Sequence, residues 1–224
     1  MTMQTETAAM PRVIRDVDAA RRELTRRRGF EETELSSRMQ DGIRRVFGAD
    51  LTAEQVVDRI LSEVRSEGDA AVSRYAAALD GDTDAQFEVP RSAWQDALAG
   101  LEPALRDALR LAAEQIAAFH RKQLRTSWVD YSDEGSLGQI VRPLDRVGVY
   151  APGGTAIYPS SLLMTAIPAR VAGVQEIVVC SPGGPGGAIS PLVLAAAEVA
   201  GVDRVFRIGG AQAVAAMAFG TASV

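Results

Sequence analysis

Arg146-Val-Gly-Val-Tyr-Ala-Pro-Gly-Gly154 sets a short apolar strand directly against a glycine-rich turn, and two later stretches repeat the arrangement. Glu176-Ile-Val-Val-Cys180 runs into Ser181-Pro-Gly-Gly184, and Arg204-Val-Phe-Arg-Ile208 is closed by Gly209-Gly210. The continuous apolar run at 176–180 suits a strand buried on both faces of a parallel sheet. Helical patterns lie between them: Ser160 to Ala172, which Pro168 is expected to kink, and Pro191 to Ala200, ended by Gly201. Ala211 to Phe219 is a third, Ala-rich helix. Strand centres near 148, 178 and 206 are spaced by about 30 residues, the size of a βαβ unit. The stretch reads as half of a doubly wound sheet, a parallel β-α-β-α-β-α unit of the α/β class.

Upstream of Arg142 the physics differs. Residues 1–141 hold 19 Lys+Arg and 25 Asp+Glu, whereas residues 142–224 hold 5 and 4 yet take 12 of the 20 Gly and 7 of the 10 Pro. The first half reads as helical. Asp16 to Arg28 is a short charged helix whose Arg26-Arg27-Arg28 run is a solvated face. Thr52-Ala-Glu-Gln55 has the form of a capping box, after which Val56, Ile60 and Val64 share one helical face. Gly68 to Leu79 continues helically and stops at Asp80-Gly81, and Pro90 to Leu101 is another helix. Pro103 opens the longest one, with a stripe of Leu105, Leu109, Ala112, Ile116 and Phe119. Ser127 to Tyr131 and Leu137 to Val141 flank Asp133-Glu-Gly-Ser136 as a hairpin.

Composition excludes several chemistries. A net charge of -5 argues against a nucleic-acid binder. No apolar run approaches the roughly 18 residues of a membrane span, and Met1 to Asp16 has no apolar signal-peptide core, so a soluble cytoplasmic protein is expected. A single Cys forms no internal disulfide. With His120 and Cys180 as the only soft ligands, a zinc site of the usual His/Cys type cannot be built from this chain alone. Cys180 reads as buried filler at a strand end, and His120 as a structural residue near a helix C-terminus.

What remains is the glycine edge. The loops carrying Gly153-Gly154, Gly183-Gly184 and Gly209-Gly210 fall together at the carboxyl ends of parallel strands, where such folds bind ligands. Tyr150 ends the first strand, either to stack on a ligand or to pack at the sheet edge. Gln212 opens the last helix, either to hydrogen-bond a ligand or to cap the helix. No Gly-x-Gly-x-x-Gly is present, and the second strand ends in Cys180-Ser181 rather than in the acid that holds a ribose in standard dinucleotide folds.

The segment from Arg146 to Met164 resembles the signature of histidinol dehydrogenases, as do Ala166-Ile-Pro-Ala-Arg-Val-Ala-Gly173 and Arg207-Ile-Gly-Gly-Ala-Gln-Ala-Val-Ala-Ala-Met-Ala-Phe-Gly-Thr221. Gly68-Asp-Ala-Ala-Val72, the Leu-Asp-Gly81 stop and Phe119-His-Arg-Lys-Gln123 agree more loosely. Ser161 stands where Thr is common in the family and Ala151 where Val is common. The resemblance implies oxidation of L-histidinol to L-histidine through a bound aldehyde, with NAD and zinc as cofactors, in a homodimer with incomplete Rossmann-like domains. It places Tyr150 and Gln212 on the family's NAD-contacting Tyr and Gln.

The resemblance also implies a longer protein. The family's Gly-Pro-Gly-Asn loop, zinc ligands, substrate contacts and Glu-His base pair would all follow Val224, so no catalytic or metal residue is assigned within the chain, which is expected to be inactive alone. The implied organisation is a flexible N-terminus at 1–15, a helical region at 16–125, a hairpin connection at 126–141 and an incomplete Rossmann-like NAD-binding domain at 142–224. Two other readings are a related dehydrogenase of another amino alcohol or diol, and a non-catalytic α/β module that binds a nucleotide or a partner.

Overall fold

The computed structural model describes residues 13–25, 35–81, 86–153, 157–184 and 187–224. At its centre is a parallel sheet of β3 (Arg146–Tyr150), β4 (Glu176–Ser181) and β5 (Arg204–Arg207), in the order β3-β4-β5. Val147 lies opposite Ile177 and Val149 opposite Val179, while Val179 also faces Val205 across the other ladder. The free side of β5 is occupied by residues 86–89, where the Val89 N–H donates to Val205 O at 2.8 Å and the Arg207 N–H to Phe87 O at 2.7 Å.

The period-2 alternation of the strands sends side chains into two different cores. Ile177, Val179 and Val205 join Leu162, Leu163, Val193 and Trp94 on one face, whereas Val178, Cys180 and Phe206 join Phe47, Ile60, Val64 and Val72 on the other. Each of these large apolar side chains contributes roughly 1.5–3 kcal/mol by leaving water. The first face is covered by the crossover helices α7 (Pro159–Ala172) and α8 (Pro191–Ala200), backed by α5 (Arg91–Ala99) and α6 (Pro103–Arg121). The second is covered by α2 (Ser37–Phe47), α3 (Ala53–Glu67), α4 (Asp69–Tyr75) and α9 (Gly210–Phe219).

The last helix therefore leaves β5 for the opposite face and returns beneath β3, the point at which a doubly wound sheet reverses direction. Gly148 permits that return: a Cβ there would meet Met217 Sδ at 2.7 Å. The fold is α/β with an incomplete Rossmann-like parallel sheet. Helices of the first half cover both of its faces, sharing each core with the strands.

Local signals explain most boundaries. Thr52 Oγ1 accepts from Gln55 N at 3.2 Å while Gln55 Oε1 accepts from Thr52 N at 2.9 Å, completing the capping box of α3. Pro103, Pro159 and Pro191 each sit in the first turn of a helix. The α7 helix continues through Pro168. A π-helical turn, Ala76–Asp80, extends α4 up to Gly81.

Four expectations shift. The first helix, α1, spans Val17–Thr25, and the Arg26-Arg27-Arg28 run lies outside the described residues. The α2 helix was not expected; it buries only Phe47, too narrow a stripe to announce itself, although Ser36 and Gly48 cap it. Leu105 and Phe119 of the α6 stripe are exposed, because the helix presents Leu109, Ala112, Ala113 and Ile116 to its neighbours instead. The hairpin turn is tighter than expected, pairing Ser132 of β1 (Trp128–Ser132) with Gly135 of β2 (Gly135–Gln139).

Candidate functional site at the carboxyl edge

The parallel strands bring Tyr150, Ser181 and Ile208 to one edge of the sheet, and their loops carry the five described members of the three glycine pairs, Gly153, Gly183, Gly184, Gly209 and Gly210. Tyr150 lies there with its ring partly exposed, and its hydroxyl accepts a hydrogen bond of 3.1 Å from the Gly210 N–H, spanning from β3 across to the first turn of α9. Gly209, the N-cap of that helix, supplies no side-chain cap. The start of α9 therefore presents its positive dipole end to the edge.

Gln212 is completely buried in the first turn of α9 and does not cap it. Its Nε2 donates to Asp80 Oδ2 at 3.2 Å, whereas its Oε1 is buried with no hydrogen-bond partner. Ser181 Oγ, at the end of the central strand, is likewise buried and unpartnered. Two orphaned polar atoms at one edge of the sheet contrast with the satisfaction expected of buried polar groups, each omission costing about 1–3 kcal/mol.

The glycines divide by what crowds them. A Cβ on Gly183 would meet Gly187 O at 2.5 Å, so that pair serves its own tight loop. A Cβ on Gly210, which has φ +61°, would meet Gln212 Oε1 at 2.6 Å, and one on Gly209 would meet Pro182 Cβ at 2.7 Å and the Asp80 carboxylate at 3.2 and 3.3 Å. Gly153 faces Ser181 Oγ, 2.6 Å from where its Cβ would stand. These three glycines make room for the polar atoms of the edge. Gly154 lies outside the described residues.

Asp80 is the member of this group that the sequence reading missed. It ends the π-helical turn after α4, from a different part of the chain. One signal was available: an acidic side chain at a helix C-terminus opposes the macrodipole and needs another reason to be there.

Neither Cys180 nor His120 joins the site chemistry. Cys180 is buried, and burial pushes its thiol up to about 12, far from the thiolate a nucleophile requires. His120 sits in the last turn of α6 with its ring edge-on to Phe119 at 5.3 Å. Among the described residues no group of three or more His, Cys, Asp or Glu comes together to hold a metal ion. An open cleft lined by Glu88, Arg91, Trp94 and Asp203 lies at the amino end of β5, away from this edge, and its charged walls are engaged in ion pairs with Arg204, Glu198 and Arg170.

Residues 44–224 match the family model described as histidinol dehydrogenase. The chain belongs to the histidinol dehydrogenase family. It is 47% identical over 205 residues to a histidinol dehydrogenase of Deinococcus radiodurans, covering 92% of this chain and 46% of that protein. With the enzyme of Syntrophotalea carbinolica it shares 52% identity over 174 residues, 76% of this chain and 40% of the relative. The crystal structure of histidinol dehydrogenase from Elizabethkingia anophelis superposes with a TM-score of 0.72 at 29% identity, over 86% of this chain and 45% of that one. The chain thus spans about half the length of the histidinol dehydrogenases it matches.

Proposed function

We propose that the whole protein is an NAD-dependent histidinol dehydrogenase, oxidising L-histidinol to L-histidine through bound L-histidinal at the end of histidine biosynthesis. The single observation carrying this reading beyond family membership is the pair of orphaned atoms, Gln212 Oε1 and Ser181 Oγ, beside the Tyr150–Gly210 bridge. These residues fit a dinucleotide: a partly exposed ring, a helix start whose N-cap glycine supplies no side-chain cap, and buried polar atoms in want of partners.

NAD, when bound, supplies the hydride acceptor. This chain's residues bind and orient it. Tyr150 is held by Gly210 so that its ring forms a fixed wall, and Gln212 offers its amide oxygen to a donor on the cofactor. Zinc, which the family resemblance also implies, finds no ligand set among the described residues, and its chemistry is assigned outside this chain. We further propose a homodimer acting in the cytoplasm; no helix among the described residues is long and apolar enough to cross a membrane.

The test is histidinol-dependent NAD reduction by the full-length protein and by residues 1–224 alone. The full-length protein is expected to turn over and the 224-residue chain to show none. Tyr150→Ala and Gln212→Leu in the full-length protein should each weaken NAD about tenfold. Reduction of NAD by the 224-residue chain alone would refute its assignment as a cofactor wall without catalytic groups.

A further inference from the structure

We propose that Asp80 is a cofactor-contacting residue, supplying from the helical half of the chain the carboxylate that accepts hydrogen bonds from a ribose hydroxyl. The inference rests on the dinucleotide reading above and names the sugar-binding group of that site.

Three observations carry it. The Asp80 side chain is exposed, while its partner Gln212 is fully buried beneath the edge. The amide therefore holds the carboxylate from below and leaves it on the surface. Both Asp80 oxygens would stand 3.2–3.3 Å from a Cβ on Gly209, which puts the group against the loop that closes β5. Finally, β4 ends in Ser181, so the position from which standard folds extend an acid to the ribose is filled by a short neutral side chain.

Chemistry then selects the ligand group. A carboxylate accepts hydrogen bonds at about four positions and donates none when ionised. A pyrophosphate is also an anion and an acceptor, so it is repelled there; a sugar diol, with two hydroxyl donors, is matched. Gln212 donates to the carboxylate, which fixes its direction. The placement of an acid at a helix C-terminus, unfavourable for the helix itself, is accounted for by this task.

The experiment measures dissociation constants on the full-length protein for wild type, Asp80→Asn and Asp80→Ala. The probes are NAD, NADP, AMP, nicotinamide mononucleotide, and NAD analogues lacking a hydroxyl on one ribose. Asp80→Ala is expected to weaken NAD about tenfold and to lose the preference for NAD over the deoxy analogue that wild type shows. Loss of AMP affinity, with a raised relative affinity for NADP in Asp80→Asn, identifies the adenosine ribose. Loss of nicotinamide mononucleotide affinity with the NADP ratio unchanged identifies the other ribose. Either result supports the proposal.

It is overturned if Asp80→Ala leaves NAD within twofold of wild type. It is equally overturned if the variant weakens NAD but discriminates the deoxy analogues as wild type does, since Asp80 would then act only through Gln212. Failure of wild type to bind NAD at all defeats the dinucleotide reading together with the proposal. NAD binding that Tyr150→Ala weakens and Asp80→Ala does not would defeat the proposal alone.

Discussion

The two ends of the parallel sheet are built on opposite rules. At the amino end, every strand is tied by charged side chains with partners: Arg146 pairs with Glu176 at 2.7 Å, Arg204 with Glu88 at 2.6 Å, and Arg170 with Asp203 at 2.6 Å. Arg170 also donates to Val174 O, Gln175 O and Gly201 O, while Asp203 accepts from the Ile177 N–H. At the carboxyl end, the described residues bring together crowded glycines, an exposed acid and two buried polar atoms without hydrogen-bond partners. One end closes the loops and stabilises the sheet. The other gives up hydrogen bonds that a ligand can restore. A cleft at the amino end is thus less informative about function than unsatisfied atoms at the carboxyl end.

The contrast is breakable by mutation and pH. The largest expected effect is at Arg170→Ala, which frees three carbonyls and leaves Asp203 without its cation. We expect a loss of about 2–3 kcal/mol in urea unfolding with no change in NAD affinity; a loss below about 0.5 kcal/mol would mean that the amino end is not the stabilising one.

Next is acid. Hydrogen bonds from Arg59, then Tyr75 and Arg74, hold the Glu63 carboxyl at about 2 rather than its usual 4.5. A depressed folded-state value means the contribution is complete above the unfolded pKa and disappears as pH falls from 4.5 through about 2. On this half-exposed cluster screening reduces it to about 1 kcal/mol, readable as the difference in acid unfolding between wild type and Glu63→Gln.

Smaller still is Ser181→Ala. It removes an orphaned hydroxyl and should leave stability unchanged or raised by up to about 1 kcal/mol, while weakening NAD binding. A clear loss of stability would show that the hydroxyl has a partner in solution. The smallest effect is expected for Arg146→Gln, whose ion pair is well exposed: under about 0.5 kcal/mol, decreasing further with salt.

Much of the fold was legible because its signals are local. The run 176–180, Pro103 and Pro191 at the starts of α6 and α8, and the Thr52–Gln55 box each depend on a few neighbouring residues, and each lands where expected. The failures have a common cause. Which face of α6 is buried depends on what α7 and α8 present, so Phe119 fits a helical stripe yet stays in solvent. The edge was half legible: Tyr150 and Gln212 stand at strand-to-helix junctions, but Asp80 is 132 positions from Gln212, and no spacing rule links them.

By itself the sequence determined the class of fold, the family and the order of the strands and of the helices other than α2, since periodicity, turn residues and motifs are properties of short segments. Tertiary structure alone decided that helices of the first half cover both faces of the sheet, that the amide of Gln212 meets a carboxylate while its oxygen meets nothing, and that Asp80 stands at the carboxyl edge. Those outcomes depend on contacts between residues distant in the chain, which form only when both cores close around the sheet.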